Sequence, residues 1–211
     1  MVRKPKEEKI KVLSLGKLLL QADTQEDIQN LTDLLSSFSC EKDKDIENFL
    51  HNRAIEFEHI NKARTYLACD NNVLLSDGKF VILGYFTVAL KVLDLPDNLS
   101  NRKRKKMDGI SAKLHGKTVD SIPCYLIGQL AKNSNIPKNQ AIKGTDLINS
   151  ALSIIRSAEM FVGGRYVLIE CYGTPELLKF YTDNGFKQFA EKPYEDEPMV
   201  QMVRMLCSPI S

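Results

Sequence analysis

Residues 124–130 (CYLIGQL) read as a buried strand, 133–143 as a polar loop and 144–161 as a helix; chemically, this is the most informative stretch of the 211 residues. A helix entered from a strand offers unpaired backbone amides and the positive end of its dipole, which suits a phosphate group. Lys138 and Lys143 flank the turn, Gly144 stands where backbone would approach a ligand closely, and Thr145 supplies a hydroxyl. An ordinary strand-to-helix connection has the same outline, because no complete glycine fingerprint is present. A second feature is the run Arg102, Lys103, Arg104, Lys105, Lys106. It holds five positive charges in a chain of net charge +2, so the remainder sums to −3. Such a run suits one local anionic partner, and a solvated loop accounts for it equally well. Tyr181 shares helical spacing with Leu177 and Leu178, which on spacing alone makes it a core aromatic. Glu170, near a strand end, can accept a proton or simply be solvated.

Other chemistries find little support. His51, His59 and His115 form no HExxH-like pattern, and Cys40, Cys69, Cys124, Cys171 and Cys207 are scattered without a CxxC pair, so no metal is expected. An odd number of dispersed cysteines points to a reducing cytoplasm. Residues 1–11 are charged rather than apolar, and the longest apolar runs, 80–83 and 86–90, fall far short of the roughly 18 residues of a membrane span. With 43% hydrophobic and 27% charged residues, the chain is expected to fold as one domain with a real core, and not as a fibre, a disulfide scaffold or a disordered chain.

The elements that must position these residues follow from periodicity. Alternation predicts a first strand over 10–15. Thr24 and Asp27 form a capping-box start to a helix reaching Phe38, and a second helix is expected over 43–62. Strands follow at 65–69 and at 79–93, the latter kinked near Gly84, with turn chemistry at Asp70, Asn71 and Asn72. Residues 95–123 form a long polar connection holding the basic run. After the 144 helix come a strand at 165–171, a helix opened by Thr174-Pro175 and closed by Asn184-Gly185, and strands at 186–190 and 199–206 joined around Glu195-Asp196-Glu197.

The segment Phe180-Tyr181-Thr182-Asp183-Asn184-Gly185-Phe186, at its distance from the 139–144 loop, resembles the F-Y-x-x-x-G-F element of the GNAT acetyltransferase superfamily. The order of elements upstream is similar too. Phe38-Ser39-Cys40, Ile46 to Leu50, Ala63-Arg64-Thr65-Tyr66 and Leu83-Gly84-Tyr85-Phe86 resemble its toxin-type branch, whose members acetylate the amino group of aminoacyl-tRNA. The resemblance implies an α+β (α/β) fold over 1–211. It would be a single GNAT-like domain with a central mixed, mostly antiparallel twisted sheet flanked by helices, residues 1–9 flexible, and an acyl-CoA cleft between splayed central strands.

The implied activity is N-acetyl transfer from acetyl-CoA to a primary amine by direct attack, with an aminoacyl-tRNA as acceptor. Small-molecule or protein amines are the alternative acceptors, and a non-catalytic interaction module is the alternative from another class. Residues 129–132 match the strand that supplies an oxyanion donor, through the backbone of Leu130 and Ala131, with Lys132 beside them. The cofactor-binding set continues through Lys138, Asn139, Gln140, Ala141, Ile142, Lys143, Gly144, Thr145 and Phe180. Tyr181 matches the tyrosine that protonates the departing thiolate, Glu170 is the candidate base, and no metal takes part. Arg64 and the 102–106 run would meet tRNA phosphates. Asn139 and Ile142 depart from the family's Q/R-x-x-G-x-G/A loop: Ile142 cannot reach positive φ cheaply, and its side chain is expected to crowd the ligand. An antitoxin-like protein is an implied partner. Residues 199–206 are apolar enough either to form a homodimer or to complete the sheet.

Overall fold

The first turns of helix are set by short polar caps. In a computed structural model, which describes residues 9–77, 79–192 and 198–206, strand β1 (Ile10–Ser14) runs directly into α1 (Leu15–Leu20), where the Ser14 hydroxyl accepts from the Lys17 amide at 3.3 Å. Helix α2 (Gln25–Ser36) begins with the expected capping box, Thr24 and Asp27 each accepting from the other's amide. The helix expected over 43–62 is two, α3 (Lys44–Asn52) and α4 (Ala54–His59). Arg53 leaves helical geometry between them, and α4 thereby carries Glu58 to the Thr65 amide, 2.6 Å away. After β2 (Arg64–Asp70), the Asp70 carboxylate caps a short helix, α5 (Asn71–Asp77), where turns were expected.

Strand β3 (Ile82–Asp94) is followed by α6 (Asn101–Asp108), a two-residue pair of strands, β4 (Lys113–Leu114) and β5 (Lys117–Thr118), and then β6 (Ser121–Lys132). The long connection is therefore ordered: the basic run is helical, and His115 and Gly116, both at positive φ, make the tight turn of the small hairpin. Helix α7 (Gly144–Val162), β7 (Tyr166–Tyr172), α8 (Pro175–Asp183), β8 (Lys187–Lys192) and β9 (Met199–Met205) complete the order. The expectations for residues 1–8, for Glu195-Asp196-Glu197 and for Cys207 lie outside the described residues.

The seven long strands follow the order β1-β2-β3-β6-β7-β9-β8. The β1-β2, β2-β3, β7-β9 and β8-β9 pairings are antiparallel and β6-β7 is parallel, its register covering Tyr125 to Ile127 against Val167 to Ile169, so the sheet is mixed and mostly antiparallel as expected. Strand β9 lies between β7 and β8, so residues 199–205 complete the sheet, and both backbone edges of that strand are used by this chain.

The chain divides into two units. The first takes the described residues through Val88 together with Gly128–Ser153; the second takes Ala89–Ile127 with those from Ile154 onward. The first has a core of Leu15, Leu35, Phe38, Leu50, Leu67 and Tyr85 under α1–α4, with Phe38 and Tyr85 edge to face at 5.1 Å. The second packs Leu93, Leu95, Ile122, Tyr166, Leu168 and Val203 together, with Met107 of α6 against them. No helix among the described residues is long and apolar enough to cross a membrane.

Candidate active site

In the first unit, β6 ends on a polar side chain that fixes the loop behind it. Asn133 is buried; its side-chain amide donates to the Ile82 carbonyl (2.8 Å), and its oxygen accepts from the Ser39 (3.2 Å) and Asn135 (3.0 Å) amides. Its own amide donates to Leu83 at 2.9 Å. Just before it, Leu130 is half-buried, Ala131 joins the core and Lys132 is exposed. The Pro137 carbonyl accepts from the Gln140 and Ala141 amides at 2.8 and 3.0 Å, a turn that leaves Lys138, Asn139 and Gln140 exposed.

Helix α7 then starts at Gly144. The Lys143 carbonyl accepts from Asp146 and Leu147, while the amides of Lys143, Gly144 and Thr145 donate to no group among the described residues. These are the open donors that every helix start carries, here beside two exposed lysines, 138 and 143.

Ile142 does not crowd this turn. It is 4% exposed and is not at positive φ, and its side chain is turned into the core beneath Gly84. A Cβ on Gly84 would lie 2.7 Å from the Ala131 carbonyl oxygen, 3.0 Å from Leu147 Cδ1 and 3.3 Å from Ile142 Cγ2. The missing side chain at 84 makes room for the extra one at 142, and burying it is worth about 1.5–3 kcal/mol. The expectation that the isoleucine obstructs the turn is therefore corrected. Residue 144 has no positive φ, so its glycine meets no left-handed requirement.

In the second unit, the motif around Tyr181 has a clear local cause. The Thr174 hydroxyl caps α8 and Pro175 takes its first position. Gly185, at φ 81, ends it, and the chain turns back so that Phe186 donates its amide to the Tyr181 carbonyl and sets its ring 6.0 Å from the tyrosine's. The half-buried Phe180 ring lies 5.2 Å from it as well. The Tyr181 ring is buried, but its hydroxyl has no hydrogen-bond partner among the described residues and is not sealed from solvent. Burial pushes its pKa well above the usual phenol value, with Cys171 adding to the effect, so the proton stays on the oxygen throughout the neutral range.

Glu170 is occupied. It is ion-paired with Lys91 and accepts from the Gln201 side-chain amide at 2.8 Å. Burial pushes its carboxyl up, but the hydrogen bonds from Lys91 and Gln201 and the charges of Lys91 and Lys192 outweigh that and leave its pKa lowered. A carboxylate so held is a weak base, which counts against the role expected of it. The Cys124 and Cys171 thiols are pushed up to about 11 by burial, and Cys69 to about 12, so none is a ready nucleophile.

The basic residues divide in the same way. Arg64 pairs with Glu58 (2.8 Å), which is 3% exposed, and also reaches Asn61, so part of its fork is held by a buried carboxylate while the side chain stays exposed. Arg104 is 4% exposed with its guanidinium among backbone carbonyls, because α6 turns that one residue inward. Arg104 is therefore not presented to a nucleic acid as expected, whereas Arg64, though paired, stays exposed. Arg102, Lys103, Lys105 and Lys106 are exposed. So are Lys113 and Lys117 on the hairpin, cations the sequence reading passed over although Lys113-Leu114-His115-Gly116-Lys117 carries a turn glycine between them.

No protein-family model and no curated protein sequence matches the chain. Solved structures do. The chain has the GNAT fold, shared with a mutant of KacT (TM-score 0.63, 16% identity, 94% of this chain and 96% of that one) and with AtaTR bound with AcCoA (0.62, 20%, 94% of each). It also matches AtaT complexed with acetyl-methionyl-tRNAfMet (TM-score 0.60, 20% identity, 91% of this chain and 93% of that one).

Proposed function

We propose that the protein is an N-acetyltransferase, one GNAT-like domain over 1–211, which moves an acetyl group from acetyl-CoA to the amino group of an aminoacyl-tRNA. The observation that carries this reading is the start of α7: amides at 143–145 with no partner among the described residues, beside exposed Lys138 and Lys143, with Ile142 withdrawn into the core. Those amides and lysines would hold the diphosphate, with Asn139, Gln140, Ala141 and the Thr145 hydroxyl along the turn. Leu130, Ala131 and Lys132 would line the acyl end, and Phe180 would flank the site of proton transfer. When bound, acetyl-CoA supplies an activated thioester. Tyr181 holds a proton that burial makes hard to lose, and it would give that proton to the departing thiolate. An α-amino group on an ester-linked aminoacyl residue has a lowered pKa, so no strong base is needed and Glu170 can remain with Lys91. The AtaT structures with acetyl-methionyl-tRNAfMet, with AcCoA and with the C-terminus of the antitoxin AtaR support this acceptor, this donor and an antitoxin-like partner. The reading places the protein in the cytoplasm.

The test is mass spectrometry of a charged tRNA pool after incubation with the protein and labelled acetyl-CoA. Label is expected on the aminoacyl end. Acetyl-CoA consumed without label on tRNA would move the acceptor to another amine, and no consumption would end the catalytic reading.

A further inference from the structure

Helix α6 should not form on its own. It has eight residues, against the roughly 12–15 needed for an isolated helix, and its first turn carries Arg102 and Lys103 where the dipole disfavours cations. Its like charges also stand three and four apart, as at Arg102, Lys105 and Lys106. What holds it is Arg104. Its guanidinium donates to the carbonyls of Pro96 (2.6 Å), Asp97 (3.1 Å), Leu99 (3.0 Å) and Val119 (2.6 Å), so it ties the outgoing limb of the connection to the returning one. A planar five-donor fork can satisfy four carbonyls at once; an ammonium with three donors cannot. The far end of the helix is fixed separately: Arg165 donates to the Met107 carbonyl at 2.9 Å and fits against Gly109, which is at φ 101 and where a Cβ would displace the guanidinium.

At about 100° per residue, Arg102, Lys103, Lys105 and Lys106 fall within an arc of about 160°, and Arg104 points the opposite way. We propose that Arg104 is a positioning residue. It touches no phosphate, and it fixes those four side chains as one preformed face for the phosphate backbone of the tRNA acceptor. This rests on the tRNA reading above. Preformed cations bind phosphates without first ordering the helix that bears them, which is where Arg104 contributes affinity.

The test measures tRNA binding against salt, together with steady-state kinetics, for R104K, R104Q and the double variant K103S/K105S. R104K keeps the charge and loses the fork. It is expected to weaken tRNA binding at least fivefold and raise the KM for tRNA, with the salt slope, the kcat at saturating tRNA and the KM for acetyl-CoA unchanged. K103S/K105S should lower the slope by about 1.4–1.8, two phosphate contacts. If R104K fails to fold, R165K loosens the same helix from its other end and should give the same split between KM and kcat. R104K at wild-type affinity, with R104Q lower in slope by about one contact, would make Arg104 a phosphate ligand and overturn the proposal. Equal losses in kcat and in acetyl-CoA binding would reduce Arg104 to general stability and overturn it as well. Wild-type affinity and slope in K103S/K105S would take the α6 face out of tRNA binding and overturn the proposal too, whereas no tRNA binding by the unaltered protein would remove the tRNA reading itself.

Discussion

Replacing Tyr181 with Phe deletes one oxygen and keeps the ring against Phe180 and Phe186, at centroid distances of 5.2 and 6.0 Å. Because the hydroxyl has no partner among the described residues, no hydrogen bond seen there is lost, and stability should change by less than about 0.5–1 kcal/mol. In a chain of this length that is a shift in Tm of about 2–4 °C or less. Activity should behave differently. A positioned general acid contributes about 10²- to 10⁴-fold, or about 2.7–5.4 kcal/mol of barrier, so kcat should fall by that factor while the Kd for acetyl-CoA stays put. The pH profile adds a sign. Burial raises the phenol's pKa, so the wild-type rate should not decline between pH 7 and 9 through loss of this proton. Stopped-time acetylation assays with calorimetry on the same samples decide it. A Y181F rate within about threefold of wild type, or a loss of rate matched by a loss of folded protein, would refute the assignment.

Three further perturbations address the frame around the turn. Gly84→Ala places a methyl 2.7 Å from the Ala131 carbonyl oxygen and should cost about 1–3 kcal/mol in chemical denaturation while weakening acetyl-CoA binding. Ile142→Ala should destabilise by about 2–5 kcal/mol on the same denaturation curve and bring no gain in acetyl-CoA affinity, because the side chain fills core and not the turn. Glu47 is held down to about 2, first by Lys44, then by the Cys40 amide and the Ser39 hydroxyl. Its folded pKa lies below its unfolded value, so its contribution is complete above about 4.5 and is lost as pH falls toward 2. Acid melting of Glu47→Gln should therefore be flatter across that window than that of the wild type.

Most of the architecture was legible because its signals are local. The Thr24-Asp27 box, Thr174-Pro175 and Asn184-Gly185 each act within one turn of chain, and the structure places helix ends at all three. What escaped depends on partners beyond the reach of a single turn. The break at Arg53 answers to Glu58 meeting Thr65, the inward turn of Arg104 to carbonyls at 96, 97, 99 and 119, and the fate of Ile142 to a glycine 58 positions earlier. A charge run looks the same in sequence whether its middle arginine faces water or carbonyls. For the site, Tyr181 and the α7 start were marked by motif, whereas the engagement of Glu170 by Lys91 and Gln201 spans 79 and 31 residues and left no local trace.

The most direct measurement is an amide NMR titration of the intact protein with coenzyme A. If the start of α7 holds the diphosphate, the amides of Lys143, Gly144 and Thr145 should move downfield together and saturate at one Kd. Were those three resonances to stay in place while coenzyme A was bound elsewhere, or not at all, the account would be contradicted.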